Sequence, residues 1–306
     1  MEMSELLKEL NMDEALRDPD TAHLVIERNR VVSSHWVQGL EVKTEEIENG
    51  VEVSVRVREG TVITKPVHFC FGVTHKRALQ RIVMHVHVER GAKIAVLSHC
   101  MFPKAEDITH VMEADITLDE GASYVYREKH IHSPDGGIEV YPRATITLGK
   151  RARFATEFEL IQGRVGKIDI DYAVTCGEES TMEMMTKISG RGDDDIKIRE
   201  TGYLVGERAR GVLTSRVAVR EHATAEVYSK LVATAPYARG HVDCHEIVQD
   251  QGVATAVPVV EVKHPKAHVT HEAAIGSVDT KQLETLMARG LSEEEAVEFI
   301  IQGLLS

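Results

Sequence analysis

The chain lacks the features that mark a nucleic-acid binder, a membrane protein or a zinc ribbon. Its 306 residues carry a formal net charge of −13, with no basic stripe to neutralise phosphates, so nucleic acid is excluded as a partner. No apolar run approaches the ~20 residues of a membrane helix. The first residues contain no apolar signal core, and the reading is a soluble cytoplasmic chain without a membrane partner. Cysteine is scarce: Cys70, Cys100, Cys176 and Cys244 are 30 to 76 residues apart and form no C-x-x-C pair. That spacing encodes neither a zinc ribbon nor a local redox motif, and such thiols are most often buried. One Trp and 5% aromatics leave little from which to build a sugar-stacking platform. A G-x-x-x-x-G-K-[ST] phosphate loop and a G-x-S-x-G elbow are both absent, so the chain is neither a P-loop ATPase nor a serine hydrolase of that type.

What is present is an ordinary globular balance, 42% hydrophobic and 28% charged, with enough apolar surface for a sizeable core. Residues 1–38 read as a helical segment. Leu6, Leu7, Leu10, Met12 and Leu16 recur at helical spacing behind Ser4 as N-cap. After the break at Asp18-Pro19-Asp20, a second helical piece is expected over Thr21 to Arg30. From about Gly39 the texture becomes period-two, as in Val51 to Val57, and no helix is expected before about 275. His85/His87 and His130/His132 alternate, which places each pair on one face of a strand, read here as a polar sheet face.

Residues 39–275 carry a repeat in which an apolar residue is followed, across a charged turn, by Ala or Ser. The small residues are Ala92, Ala122, Ala152, Ser180 and Ala209, at steps of 30, 30, 28 and 29, and Ala223 follows a half-step of 14 later. A unit of strand, charged turn and strand cannot bury its apolar face alone, so units must stack. A parallel β-solenoid satisfies this, with the small residues stacked at equivalent corners. Solenoid ends need covering, and the terminal helices are the natural caps. Residues 276–306 read as two short helices. The first carries Asp279 with Gln282 at its start and Gly290 past its end; the second opens on a Ser292/Glu295 capping box.

The best chemical candidates precede these helices: His264, His268 and His271, the last followed by Glu272. Imidazole and carboxylate suit iron and zinc. In a regular strand His271 and Glu272 point to opposite faces, so one metal could take both only at a bend.

Five pieces in one order resemble the C-terminal signature of the SufB/SufD family of iron–sulfur cluster assembly. They are Pro258-Val-Val-Glu261, His271-Glu272-Ala273, Asp279 to Leu283, Ala288-Arg289-Gly290-Leu291, and Glu293 to Ile301. The resemblance implies a mainly β fold, a right-handed parallel β-helix with short N-terminal and C-terminal helical segments. It implies a non-enzymatic scaffold for a transient iron–sulfur cluster, or for iron alone, that passes its cluster to apo acceptor proteins. The partner would be a SufC-like ABC ATPase, which binds the ATP. The C-terminal helices would dock it through Leu283, Leu286, Met287, Arg289, Gly290 and Leu291, and a homodimer is expected through the end near 240–275.

The His-Glu-Ala box is of the SufB type, where SufD-like members carry His-Gly-Ala, and it assigns His271 and Glu272 to the cluster. The family's Gly-Asp-x-Cys-Gly turn reads here Gln249-Asp250-Gln251-Gly252, without the cysteine. Cys244 is the expected replacement. It lies 27 residues before His271, and solenoid rungs bring residues about 25 to 30 apart into register. The alternatives are a SufD-like structural partner that holds no cluster and a carbohydrate-active β-solenoid enzyme.

Overall fold

The structure is a computed structural model that describes residues 3–9 and 12–305. Two short helices open the chain, α1 (Met3–Glu9) and α2 (Asp13–Arg17). Strands then follow without a helix between them. The first eight are β1 (His23–Glu27), β2 (Arg30–His35), β3 (Leu40–Ile47), β4 (Gly50–Val57), β5 (Val67–Gly72), β6 (Arg77–Val88), β7 (Lys93–Phe102) and β8 (Asp107–Leu118). Next come β9 (Ser123–His132), β10 (Ile138–Leu148), β11 (Arg153–Gln162), β12 (Lys167–Cys176), β13 (Thr181–Gly190) and β14 (Asp195–Leu204). The last are β15 (Arg210–Val219), β16 (Thr224–Ala233), β17 (Arg239–Val248), β18 (Val253–Val262) and β19 (His268–Gly276), before α3 (Thr280–Met287) and α4 (Glu293–Leu305).

From β4 onward, successive strands alternate between two sheets. One runs β19-β17-β15-β13-β11-β9-β7-β5-β1-β2, the other β18-β16-β14-β12-β10-β8-β6-β4-β3. Every pairing is parallel except the β1–β2 and β3–β4 hairpins, which close the N-terminal end. The result is a β-solenoid of about eight turns. Its interior is one continuous apolar core that runs from Leu24 and Val51 to Val242 and Cys244.

The corner alanines occupy the equivalent places that the repeat predicts. Ala92, Ala122, Ala152 and Ala209 are all at most 1% exposed. They are laddered to one another: Ser123 donates to the Ala92 carbonyl, Arg153 to that of Ala122 and Thr181 to that of Ala152. The residue just before each small corner is left-handed whatever its type: Gly91, Gly121, Arg151, Glu179 and Arg208 have φ of 68, 68, 56, 55 and 58°. Ala223, the half-step copy, forms the corner on the opposite edge, where the chain enters β16 rather than an odd-numbered strand.

Three expectations are corrected. Thr21 to Arg30 is not helical, because His23–Glu27 is a strand, parallel to β5 and antiparallel to β2. Its run of apolar residues reads as a helix face only because both of its faces are buried. Leu24 and Ile26 join the solenoid core, whereas Val25 packs with Met3, Leu6, Leu7 and Met12 of the N-terminal helical region. Leu10 and the side chain of Ser4 lie outside the described residues. His130 and His132 are not on a polar sheet face; both are buried inside the solenoid. His85 and His87 do lie on such a face, beside Glu52, Asp115 and Asp119. Finally, the C-terminal helices do not cover the last rung. Ile301 and Leu305 of α4 pack on Ala218, whose neighbours Val217 and Val219 are core residues. Ala218 therefore faces outward, and α4 sits on the outer surface of the odd-numbered sheet.

Candidate functional site

The C-terminal end of the solenoid is open. β19 is exposed along almost its whole length, and β18 is nowhere fully buried. β19 is a regular strand paired to β17, with His271 against Val242, Glu272 against Asp243 and Ala273 against Cys244. Val242 and Cys244 point into the core, so His271 occupies the inward row of the last rung and is exposed because no further rung stacks on it. Glu272 occupies the outward row, in line with Asp243, which is ion-paired to Arg216. No bend brings His271 and Glu272 onto one face. His264 lies at the corner before β19, accepting from the Lys266 backbone N–H, and His268 starts the strand.

Cys244 is not stacked on His271. The rung offset is 29 residues, as in Arg239 against His268, so its neighbour above is Ala273. The thiol is fully buried, 3.9 Å from Ser229 Oγ, and burial raises its pKa. It belongs to an interior polar column: Ser215 lies beneath it in register, and Ser215 donates to Glu246 at 3.2 Å. Ser229 pairs with Glu200, which accepts from Thr186 at 2.7 Å. Burial pushes both Glu200 and Glu246 up to about 7.

A second interior cluster, which the sequence reading missed, brings together stronger donors. Cys100 on β7, Glu128 and His130 on β9 and His110 on β8 converge between the two sheets, each at most 3% exposed. The donor atoms of Cys100, Glu128 and His130 lie within 4.8 Å of one another, an arrangement able to hold a metal ion. Cys100 Sγ is 3.4 Å from Glu128 Oε1 and 3.9 Å from His110 Nε2, and His130 Nε2 is 2.9 Å from the same carboxylate oxygen. The sequence held a signal for it. The corner step of 30 that takes Ala92 to Ala122 also takes Cys100 to His130 and Ser98 to Glu128.

The C-terminal helices are well capped. Asp279 accepts from the Gln282 backbone N–H at 2.8 Å, Ser292 and Glu295 form a reciprocal box, and Gly290 is left-handed at φ 101°. α4 is anchored by Ala296, Ile301, Leu305 and the Arg220–Glu298 ion pair, whereas α3 has no buried residue. Met287, Arg289 and Gly290 are exposed, and Leu283, Leu286 and Leu291 are half-buried. Between the helices and β17 lies an open groove of about 1070 Å³ lined by Ile247, Leu286, Phe299 and Leu304, with Phe299 60% exposed.

Residues 69–304, from β5 to the last helix, match the family described as SUF system FeS cluster assembly, SufBD core domain. The chain belongs to that family. It is 34% identical, over 92% of its length and 89% of the relative's, to an iron–sulfur cluster assembly SufBD family protein of Methanocaldococcus jannaschii. A SufBD family protein of Pyrococcus horikoshii is 33% identical over 98% of this chain and 92% of its own. The iron–sulfur cluster assembly protein SufB of Bacillus subtilis is 35% identical over 69 residues, 15% of that protein. A SufBD family member of the SUF system is thus what the stacked repeat and the C-terminal pieces describe, and the carbohydrate-active alternative falls away. No helix among the described residues is long and apolar enough to cross a membrane.

Proposed function

We propose that this SufBD family protein is a cytoplasmic, non-catalytic scaffold on which an iron–sulfur cluster is built and from which it is released to apo acceptor proteins. The observation that carries the reading is the uncovered last rung. His271, His268 and Glu272 stand exposed on a strand whose outer edge has no partner among the described residues. A scaffold needs ligands that solvent-borne iron and sulfide can reach, and imidazole and carboxylate bind iron without sealing it away. Because one strand sends His271 and Glu272 to opposite faces, a single chain cannot clasp one iron atom with both. Two copies meeting at this end would supply ligands from both sides, and two-fold pairing is the commonest closed assembly. An open strand edge is itself a template for such pairing. The exposed face of α3 and the apolar groove beneath it suit a SufC-like ATPase, whose ATP cycle would move two scaffold copies relative to one another.

The burial of Cys244 favours a second reading. With Cys244 enclosed, the open end offers no thiolate among the described residues, and thiolate is the preferred cluster ligand. A SufD-like role as a cluster-free structural partner is consistent with that. Anaerobic reconstitution with iron and sulfide separates the two. A scaffold binds both, and loses them in His271→Ala and Glu272→Ala but keeps them in Cys244→Ser. A wild-type protein that stays colourless alone and with its ATPase is a structural partner, and the scaffold reading is then wrong.

A further inference from the structure

We infer that the solenoid interior holds a second, resident metal site, one divalent ion of the zinc type bound by Cys100, Glu128, His130 and His110. It lies between β7, β9 and β8, five strand positions from β19 within its sheet, roughly 24 Å at the usual strand spacing. It is therefore separate from the open rung and independent of how that rung is used.

Three of the four donors, those of Cys100, Glu128 and His130, lie within 4.8 Å of one another, whereas His110 stands outside that group, 3.9 Å from Cys100 Sγ. With metal–sulfur bonds near 2.3 Å and metal–nitrogen and metal–oxygen bonds near 2.0 to 2.1 Å, tetrahedral ligand atoms lie about 3.3 to 3.6 Å apart. The separations are 3.4 Å from Cys100 Sγ to Glu128 Oε1, 2.9 Å from that oxygen to His130 Nε2, and 3.9 Å from Cys100 Sγ to His110 Nε2. A four-coordinate ion requires His110 to close on the other three donors. Two strands of one sheet and one of the other contribute, so an ion here would tie the two walls of the solenoid together.

The hydrogen bonds around the cluster leave its electron pairs facing each other. His132 Nδ1 lies 2.9 Å from the Arg164 carbonyl, which only accepts, so that nitrogen carries the proton. His132 Nε2 is then an acceptor, and it faces His130 Nδ1 at 3.1 Å, so His130 also carries its proton on Nδ1. His130 Nε2 is left with a bare lone pair aimed at a carboxylate oxygen. Burial keeps His110, His130 and His132 neutral, pushing each down to about 3. Among the described residues the cluster has no Lys or Arg ion-pair partner, Glu128 Oε2 and His110 Nδ1 have no hydrogen-bond partner, and all of these groups are buried.

A lone pair facing a carboxylate needs either a proton or a cation between them. The outer chain from His130 through His132 to a backbone carbonyl is the arrangement that orients metal-bound imidazoles. The charge also closes. Burial raises the carboxyl of Glu128 and, together with the nearby Glu128, the thiol of Cys100, so both groups favour a proton while no cation is present. A divalent ion that enters displaces the thiol proton and the carboxyl proton, and both leave to solvent. A dication with one thiolate, one carboxylate and two neutral imidazoles is again neutral, as a dry interior demands.

The buried pocket would load during folding, so the test uses full-length protein produced in cobalt-supplemented or zinc-supplemented medium. The expected result is one cobalt per chain, with thiolate-to-cobalt charge-transfer absorption and the strong visible bands of four-coordination. Cys100→Ser should lose the charge-transfer band. Glu128→Gln, an isosteric change, should bind at least tenfold more weakly while keeping the wild-type circular dichroism. The charge-transfer band itself distinguishes this site from the open rung, whose exposed His268, His271 and Glu272 supply no thiolate. Should Cys100→Ser not fold, the metal content of Glu128→Gln decides. Wild type that carries no more metal than Glu128→Gln, or a charge-transfer band that survives in Cys100→Ser, overturns the assignment.

Discussion

Glu200 provides a stringent test of the interior as drawn. It is 1% exposed on β14, accepts from Thr186 through Oε1, and has no partner for Oε2. Burial raises its carboxyl from 4.5 to about 7, because desolvation penalises the charged form by more than the Thr186 hydrogen bond favours it. In the unfolded chain it titrates near 4.5. Between these values the folded state holds a proton that the unfolded state has released, so raising the pH pulls the equilibrium toward unfolding. The stabilising share of neutral Glu200 is complete below about pH 4.5 and is lost as the pH climbs through about 7. At about 1.4 kcal/mol per pKa unit, that loss amounts to about 3 kcal/mol. Glu200→Gln keeps an acceptor for Thr186 and cannot ionise, so its stability should lack this component of the slope. Guanidinium unfolding followed by far-UV circular dichroism, at several pH values from 5 to 8, reads the difference. Relative to wild type, Glu200→Gln should gain steadily with pH and become the more stable protein at pH 8. A difference that is flat with pH, or that moves the other way, would mean that Glu200 is solvated or paired and that the interior column is wrongly described.

Glu179 holds a left-handed corner at φ 55° with an exposed side chain. Glu179→Gly should therefore stabilise by about 0.5–1 kcal/mol, the left-handed strain exceeding the extra unfolded-state entropy, whereas a lower denaturation midpoint would contradict the corner geometry. Ala122 sits at most 1% exposed between the Ala92 and Ala152 corners, and Ala122→Phe should cost about 1–3 kcal/mol through overpacking, measured as a drop in unfolding free energy. Removal of residues 279–306 should leave the solenoid's circular dichroism intact, because α3 buries nothing and α4 lies on an outer face. The docking proposed above expects the same truncation to abolish co-purification with a SufC-like ATPase, and a truncated protein that still binds would move the docking site elsewhere.

Much of the architecture was legible because a solenoid writes its stacking rule into the chain. Steps of 30, 30, 28 and 29 between small residues are the same steps that separate paired residues in the odd sheet, from Lys93 through Ser123, Arg153 and Thr181 to Arg210. A corner between stacked rungs admits only a methyl or a hydroxymethyl, and that restriction survives in sequence. The helix caps at Asp279 and Ser292 were equally readable, because capping is local chemistry between residues three apart.

The rest was decided by tertiary contacts that no local pattern carries. Alternation says that His130 and His132 share a face but not which face is inside. The closed solenoid put them in the core with Cys100 and Glu128, and left His85 and His87 outside. A rung of 29 residues rather than 27 set Ala273, not His271, above Cys244, and a slip of two residues along a strand is invisible to composition or motif. The helical periodicity near Leu24 failed because both faces of β1 are covered, one by the core and one by the first helices. Sequence fixes what repeats and what caps, since those depend on neighbours along the chain. Which side chains meet inside depends on register and on which face closes, and those follow only when the two sheets are packed against each other.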